Sequence, residues 1–203
     1  MKNSTAAQKE ICTLAYAFGK DTVMARHVLW AQTKLKEGGV LGESAKMGTH
    51  LTVFPPFYTT RNDALIYAAM VQAGSPISEK SQDAIKGTHV GYFPPASDNS
   101  LIEAIHLRVE LDSEYEKFIS RIKGLDIFDW VHPPLQTTAV DPVYIPHIHL
   151  LEGVGIIDPA QKCEKDINLF FENRHYPLGE LRLFIKKPGK GEGTPLRWEQ
   201  VLV

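Results

Sequence analysis

The chain has 203 residues, 43% of them hydrophobic and 23% charged, with a formal net charge of −2. That length can bury a sizeable core, and that composition is ordinary for a soluble globular protein. The charge argues against an extended nucleic-acid surface, which needs many Lys and Arg, and no apolar run approaches the ~20 residues that span a bilayer. The stretch Met1–Thr5 is polar and leads into no long apolar segment, so no secretion signal is expected. Cys12 and Cys163 are too few for a disulfide framework. The expectation is a reduced, cytoplasmic protein.

In chain order, Cys12–Gly19 reads as a first strand with Leu14, Tyr16 and Phe18 on one face. Asp21 or Thr22 caps a helix to about Glu37, ended by Gly38-Gly39. A loop leads to the strand Gly48–Phe57. There His50 and Thr52 point one way and Leu51 and Val53 the other, and Pro55-Pro56 is expected to stop it. Asn62 or Asp63 starts a helix over Ala64–Ala73, closed by Gly74. A loop with a helical turn at Ser81–Ile85 precedes a strand over Thr88–Phe93.

Leu101–Leu111 is a longer strand, with His106 and Arg108 on one face and Ile105, Leu107 and Val109 on the other. A helix capped by Asp112 or Ser113 runs to Lys123. Leu125–Asp141 is a long loop of the kind that often carries function. In the strand Tyr144–Leu151, His147 and His149 share one face, and Ile148 and Leu150 the other. A helix from Asp158-Pro159 to about Asn173 follows, then strands at Gly179–Lys186 and Arg197–Val203 joined by a Gly-rich hairpin. Helices alternate with strands that include hairpins, which predicts an α+β fold with antiparallel pairing and not a doubly wound parallel sheet. Neither a Gly-x-Gly-x-x-Gly turn nor a Gly-Lys-Ser/Thr phosphate loop is present.

His50-Leu51-Thr52 and His147-Ile148-His149 lie 97 residues apart, each on a strand and each followed by a helix and a further strand. With the trailing Pro55-Pro56-Phe57, these triplets resemble those of the 2H phosphoesterase superfamily, the 2′-5′ RNA ligase-like proteins. Their mark is a pair of His-x-Thr/Ser strands about a hundred residues apart. The chain departs from that pattern at His149, where the family carries Thr or Ser. The resemblance implies a two-lobed, pseudo-symmetric fold: one bilobal domain over residues 1–203, antiparallel sheets with flanking helices, and one His strand per lobe facing a central groove. It also implies phosphodiester chemistry on 2′,3′-cyclic phosphate RNA ends, or on small cyclic or 2′-5′ linked nucleotides, without a cofactor.

The chemistry suits those residues independently of the name. Cleaving a phosphodiester needs a base for the attacking oxygen and an acid for the leaving one, and histidine, with an ordinary pKa of ~6.5, serves as either. His50 and His147 are the catalytic candidates, in either order. Thr52 and His149 are the phosphate-binding candidates, holding an oxygen that gains charge in the transition state.

Tyr16, Phe18, Phe57, Tyr92 and Trp198 are candidates to stack a base, although buried aromatics are commonly core. Arg182 and Lys186 share a strand face and are candidates to neutralise phosphate, with solvated surface charge as the alternative. His27, His89, His106, His132 and His175 read as surface or hydrogen-bonded histidines. No metal is required, yet His147-x-His149 has the spacing of a transition-metal pair. Glu152 falls on the opposite face from that pair if the strand continues. A metal-dependent enzyme and a non-catalytic nucleotide-binding module on the same fold therefore remain alternatives. The expected partner is a small nucleotide or an RNA terminus, with no membrane, and the chain is expected to be a monomer.

Overall fold

The computed structural model describes residues 9–75, 84–93, 101–123, 145–187 and 197–202. Within them are β1 (Lys9–Ala17), α1 (Val23–Glu37), β2 (His50–Thr60), α2 (Arg61–Gly74), β3 (Ile85–Phe93), β4 (Leu101–Leu111), α3 (Ser113–Lys123), β5 (His147–Ile156), α4 (Asp158–Phe171), β6 (His175–Tyr176), β7 (Glu180–Lys187) and β8 (Arg197–Leu202). Each helix start has a local cause. Thr22 accepts from Ala25 N, and Thr60 accepts from Asp63 N. Asp112, the first of the two residues proposed for α3, takes the Glu114 amide at 2.9 Å. Pro159 sits in the first turn of α4.

Every strand pairing is antiparallel, in the order β6-β3-β4-β5-β2-β1-β7-β8. This is the expected α+β, two-lobed arrangement. One half of the sheet is β6-β3-β4-β5 and the other is β2-β1-β7-β8. They meet at a single register pair, Leu51 opposite Ile148. The two antiparallel sheets are thus joined into one, and the two His strands are the strands that join. α1 and α4 pack on the β3 and β5 side, while α2 and α3 pack on β1, β2 and β7. Pseudo-symmetry follows: α1 and α3 cover the half opposite the strand each one follows, while α2 and α4 cover their own half.

Alternation places the core. Leu51, Val53, Ile148, Leu107 and Ile105 are fully buried under the helices. Each such side chain stabilises the fold by roughly 1.5–3 kcal/mol. The opposite face of the same strands carries His50, Thr52, His147, His149 and His106.

Some boundaries differ from expectation. β2 does not stop at Pro55-Pro56 but runs on to Thr60. Beyond Leu51 this strand pairs only with β1, and the register slips between Cys12–Phe57 and Leu14–Phe54. The two prolines occupy that irregularity, where the missing amide breaks no regular ladder. β5 starts at His147, after Pro146, and continues beyond Leu151 to Ile156. Ile85 belongs to β3, not to a helical turn. The two-residue β6, too short to carry a pattern, was not anticipated. The Leu125–Asp141 loop and the 188–195 hairpin lie outside the described residues.

Because one pair joins the halves, cutting Ile148 back to alanine is expected to destabilise the protein by about 2–5 kcal/mol, the range for a large-to-small change in a packed core. Chemical denaturation at neutral pH measures it, and a loss under about 1 kcal/mol would show that the seam does not depend on this contact.

Candidate functional site

Two tight carbonyl contacts orient the groove-side histidines. The backbone turns at Gly48, whose φ of 73° favours glycine, and His50 Nδ1 then lies 2.8 Å from the Gly48 carbonyl. His147 Nδ1 lies 2.7 Å from the carbonyl of Ile145, likewise two residues upstream. A carbonyl only accepts, so each Nδ1 carries the hydrogen, and Nε2 is left as the atom that can exchange a proton. The same local device has been built twice, once on each side of the seam.

The structure gathers His50, His147 and His149 into one cluster. The His50 and His149 rings stack at 6.1 Å, and His147 Nε2 lies 3.2 Å from His149 Nε2. Thr52 lies on the same face, in register with Ala15 and, across β1, with Arg182. His50 is buried, and burial lowers its pKa most, opposed by the Gly48 contact. Burial also dominates at His147, whose pKa falls to about 4 against the raising effect of the Ile145 carbonyl, with His149, His50 and Arg108 lowering it further.

Four neighbours were not anticipated as part of the site. His106, expected to be a surface or hydrogen-bonded residue, is 1% exposed and pairs with His149 in the β4-β5 ladder. Neither of its ring nitrogens has a hydrogen-bond partner among the described residues. Burial, then His147, His149 and Arg108, push its pKa to about 3. Phe93 stacks on His106 at 4.2 Å and meets His147 edge-on at 4.9 Å. Gly91 makes room for this packing: a Cβ there would collide with His106 Nε2 and stand 2.9 Å from Arg108 Nε. Arg108 is the register partner of His147. The face shared by His106 and Arg108 was legible, but nothing local in the sequence says which strand lies alongside.

Glu152 is the clearest correction. Simple alternation puts it opposite His149, yet its Oε1 is 3.4 Å from His149 Nδ1. The ladder pairs Ile105 with Leu151 but His106 with His149, so Leu150 is an extra residue on β5. The bulge turns the following positions over. Leu150 and Leu151 are both fully buried, and Glu152 joins the histidine face. The His149 contact lowers the Glu152 pKa, against its partial burial.

The aromatic candidates divide. Phe57 is fully buried, edge-on to Tyr67 at 5.9 Å, and Tyr16 is buried with its hydroxyl 2.8 Å from Ser75 Oγ; both belong to the core. Tyr92 donates to Glu164 of α4 at 2.7 Å, on the face away from the histidines. Trp198 lies under Lys186 Nζ at 5.9 Å, far along β7-β8. Phe18, with Lys20, Gln32, Thr49, Glu180 and Arg182, lines a cavity of about 820 Å³. Arg182 is paired with Glu180, so its charge is partly neutralised. The rings against the histidines are Phe93 and Phe184, the latter 6.2 Å from His50. His27 has a structural partner, the Tyr176 hydroxyl at 2.9 Å, while His89 and His175 are exposed and His132 lies outside the described residues. Among the described residues, no three His, Cys, Asp or Glu side chains are placed to hold a metal ion, and no helix is long and apolar enough to cross a membrane.

His106 makes acid stability informative. Its folded pKa of about 3 lies below its ordinary 6.5, so the unfolded chain binds the extra proton first as pH falls. Stability is therefore lost from about pH 6.5 downward, by about 1.4 kcal/mol per pH unit until the folded form titrates. Between pH 7 and 4.5 the native protein should lose on the order of 3 kcal/mol more than a His106→Leu variant. Denaturant midpoints at the two pH values measure this, and parallel losses would contradict it.

No family model matches the chain, and no curated protein matches it in sequence. Solved structures match its fold. E. coli LigT complexed with phosphate superposes with a TM-score of 0.56 at 11% identity, covering 96% of each chain. LigT complexed with 3′-AMP gives 0.51, also at 11% identity and 96% of each chain. ATU0111 of Agrobacterium tumefaciens, a conserved protein of unknown function, gives 0.54 at 12% identity, covering 95% of this chain and 85% of that one. A structure described as a phosphoesterase gives 0.50 at 10% identity and 96% of each chain. The fold of this chain is that of LigT and of the phosphoesterase, as the paired His triplets led one to expect.

Proposed function

We propose that the chain is a metal-independent phosphodiesterase of the 2H type, acting on a 2′,3′-cyclic phosphate RNA end or on a small cyclic or 2′-5′ linked nucleotide. The observation that carries this reading is the duplicated device at His50 and His147. Both rings are pinned through Nδ1 to a carbonyl two residues upstream, and both keep Nε2 for proton exchange. One ring takes a proton from the attacking oxygen and the other gives one to the leaving oxygen. Burial makes both imidazoles reluctant cations, and an anionic diester between them would favour the charged form by direct attraction.

Thr52 and His149 hold non-bridging oxygens. A cavity lined in part by Gly48 and Thr49, the two residues before His50, offers room for the nucleoside. Crystals of LigT with phosphate and with 3′-AMP are consistent with ligands of that size on this fold. Arg182 and Lys186, engaged with Glu180 and Trp198, play at most a peripheral part.

The test is a panel of 2′,3′-cyclic, 3′,5′-cyclic and 2′-5′ linked nucleotides in excess chelator. Cleavage of at least one is expected, with kcat/KM falling ~10²–10⁴-fold in His50→Ala and in His147→Ala. His149→Thr, which restores the hydroxyl of the family pattern, should cost far less than His147→Ala. If no diester is cleaved, or if cleavage needs an added divalent ion, this reading fails. Tight binding without turnover across the panel would assign the chain instead to nucleotide binding.

A further inference from the structure

One residue of α1 breaks the pattern of its inner face. The buried positions of that helix are Met24, Ala25, Val28, Ala31, Gln32 and Leu35, and only Gln32 is polar. A buried amide costs free energy unless it is hydrogen-bonded, so its partners say why it stands there. Gln32 Nε2 donates to the Leu150 carbonyl at 2.8 Å, and Gln32 Oε1 accepts from Ser44 Oγ at 3.2 Å. A carbonyl only accepts, which fixes the end of the amide that faces β5.

Leu150 is the extra residue of the β5 bulge. The bulge falls where β5 loses β2 as its neighbour. The two strands pair at Leu51 and Ile148, and the next contact is Glu43 with Glu152, whose backbones exchange hydrogen bonds of 2.8 and 2.9 Å. Between those points β5 uses residues 149–151, and the other side uses residues 44–50. The longer path cannot pair with the shorter one residue for residue, so the ladder has a gap beside Leu150. Gln32 fills that gap from the helix. Gly42 allows the close approach: a Cβ there would stand 3.1 Å from the Glu152 carbonyl oxygen and 3.2 Å from Leu151 Cβ. Both triplets depend on this arch of chain. Its far end supplies the Gly48 carbonyl that orients His50. Its near end, through Ser44 and Gln32, holds the backbone between His149 and Glu152. Gln32, Ser44, Gly48 and Thr49 also line the cavity, so a group seated there touches the same arch.

We propose that Gln32 is a positioning residue of the candidate active site: its bond to the Leu150 carbonyl holds the β5 bulge, and the bulge sets where His149 stands in the groove. The catalytic part rests on the phosphodiesterase reading, in which His149 holds a phosphate oxygen. Gln32 acts through the backbone that follows His149, not on the reacting atoms. Misplacing a group that orients the substrate by about 1 Å costs on the order of 10²-fold in rate. A helix residue that the paired triplets do not include thus controls one of their four side chains.

The experiment uses the full chain and two apolar replacements, Gln32→Met, which keeps the length of the side chain, and Gln32→Leu. Both remove the bond to Leu150. In the protein without ligand, amide hydrogen exchange at Glu43 and Glu152 should quicken about tenfold, as the loss of one buried hydrogen bond predicts, while the amides between β1 and β7 keep their protection. With the diester of the panel that wild type cleaves best, kcat per folded molecule should fall on the order of 10²-fold. In a His149→Ala background the same Gln32 change should cost about twofold at most, because a residue acting through His149 has nothing left to position. Unchanged exchange at Glu43 and Glu152 overturns the proposal, and so does quickening spread evenly over β1 and β7. An equal loss of kcat with and without His149 also overturns it, since a merely structural role adds independently. Failure of both apolar variants to fold would make Gln32 a stability residue alone and overturns it too. Local quickening in a protein that cleaves no diester leaves the hold on the bulge standing and rejects the phosphodiesterase reading.

Discussion

The site depends on a meeting of two strands at one residue pair. Leu51 opposite Ile148 joins the halves of the sheet; Leu51 is flanked in sequence by His50 and Thr52, and Ile148 by His147 and His149, whose side chains point away from the buried leucine and isoleucine. In a strand the side that is not core is the other side of the same residues. Burying Leu51 and Ile148 therefore places His50, His147 and His149 together with no further instruction. One apolar contact both joins the molecule and assembles the cluster, so the chemistry is coupled to the stability of the seam.

This is why so much was legible. Period-two alternation in the two triplets identified which residues face the groove, and the helix starts at Thr22 and Asp158-Pro159 followed from capping chemistry that depends only on neighbours. What was not legible is what depends on partners across the sheet. Glu152 was assigned to the wrong face because a bulge at Leu150 is set by the β4 ladder and leaves no residue signature. His106 looked like any strand histidine, since its companions Phe93, Gly91 and His149 come from other segments. Pro55-Pro56 did not end β2 because only β1 pairs with it there. Phe57 and Tyr16 looked available for stacking because an aromatic residue has the same sequence appearance in a core as in a groove.

Desolvation then sets the character of the cluster. Four imidazoles within ring-contact distance cannot all be charged: each cation would lose hydration and repel the others. Hence burial lowers His50, His106 and His147 alike, and the two ring nitrogens of His106 have no hydrogen-bond partner among the described residues to offset its burial. Phe93 and Phe184 deepen that effect by excluding water from the ring edges. An apolar wall of this kind keeps bases neutral, and it strengthens any charge that the site does hold.

A hydroxyl and an imidazole at position 149 differ in what they demand of their surroundings. A threonine donates one hydrogen bond at any pH and needs no counter-charge. A histidine donates as a cation only while something stabilises the cation. In the same strand, three residues on, the bulged backbone supplies a carboxylate at ion-pair distance. A carboxylate on the histidine face would by itself repel an anion, so the ring that stands beside Glu152 governs the charge this part of the cluster presents. That ring is His149. The imidazole that stands where a hydroxyl was expected and the unforeseen carboxylate are thus neighbours, a contact set by the bulge at Leu150 and not by the triplets alone.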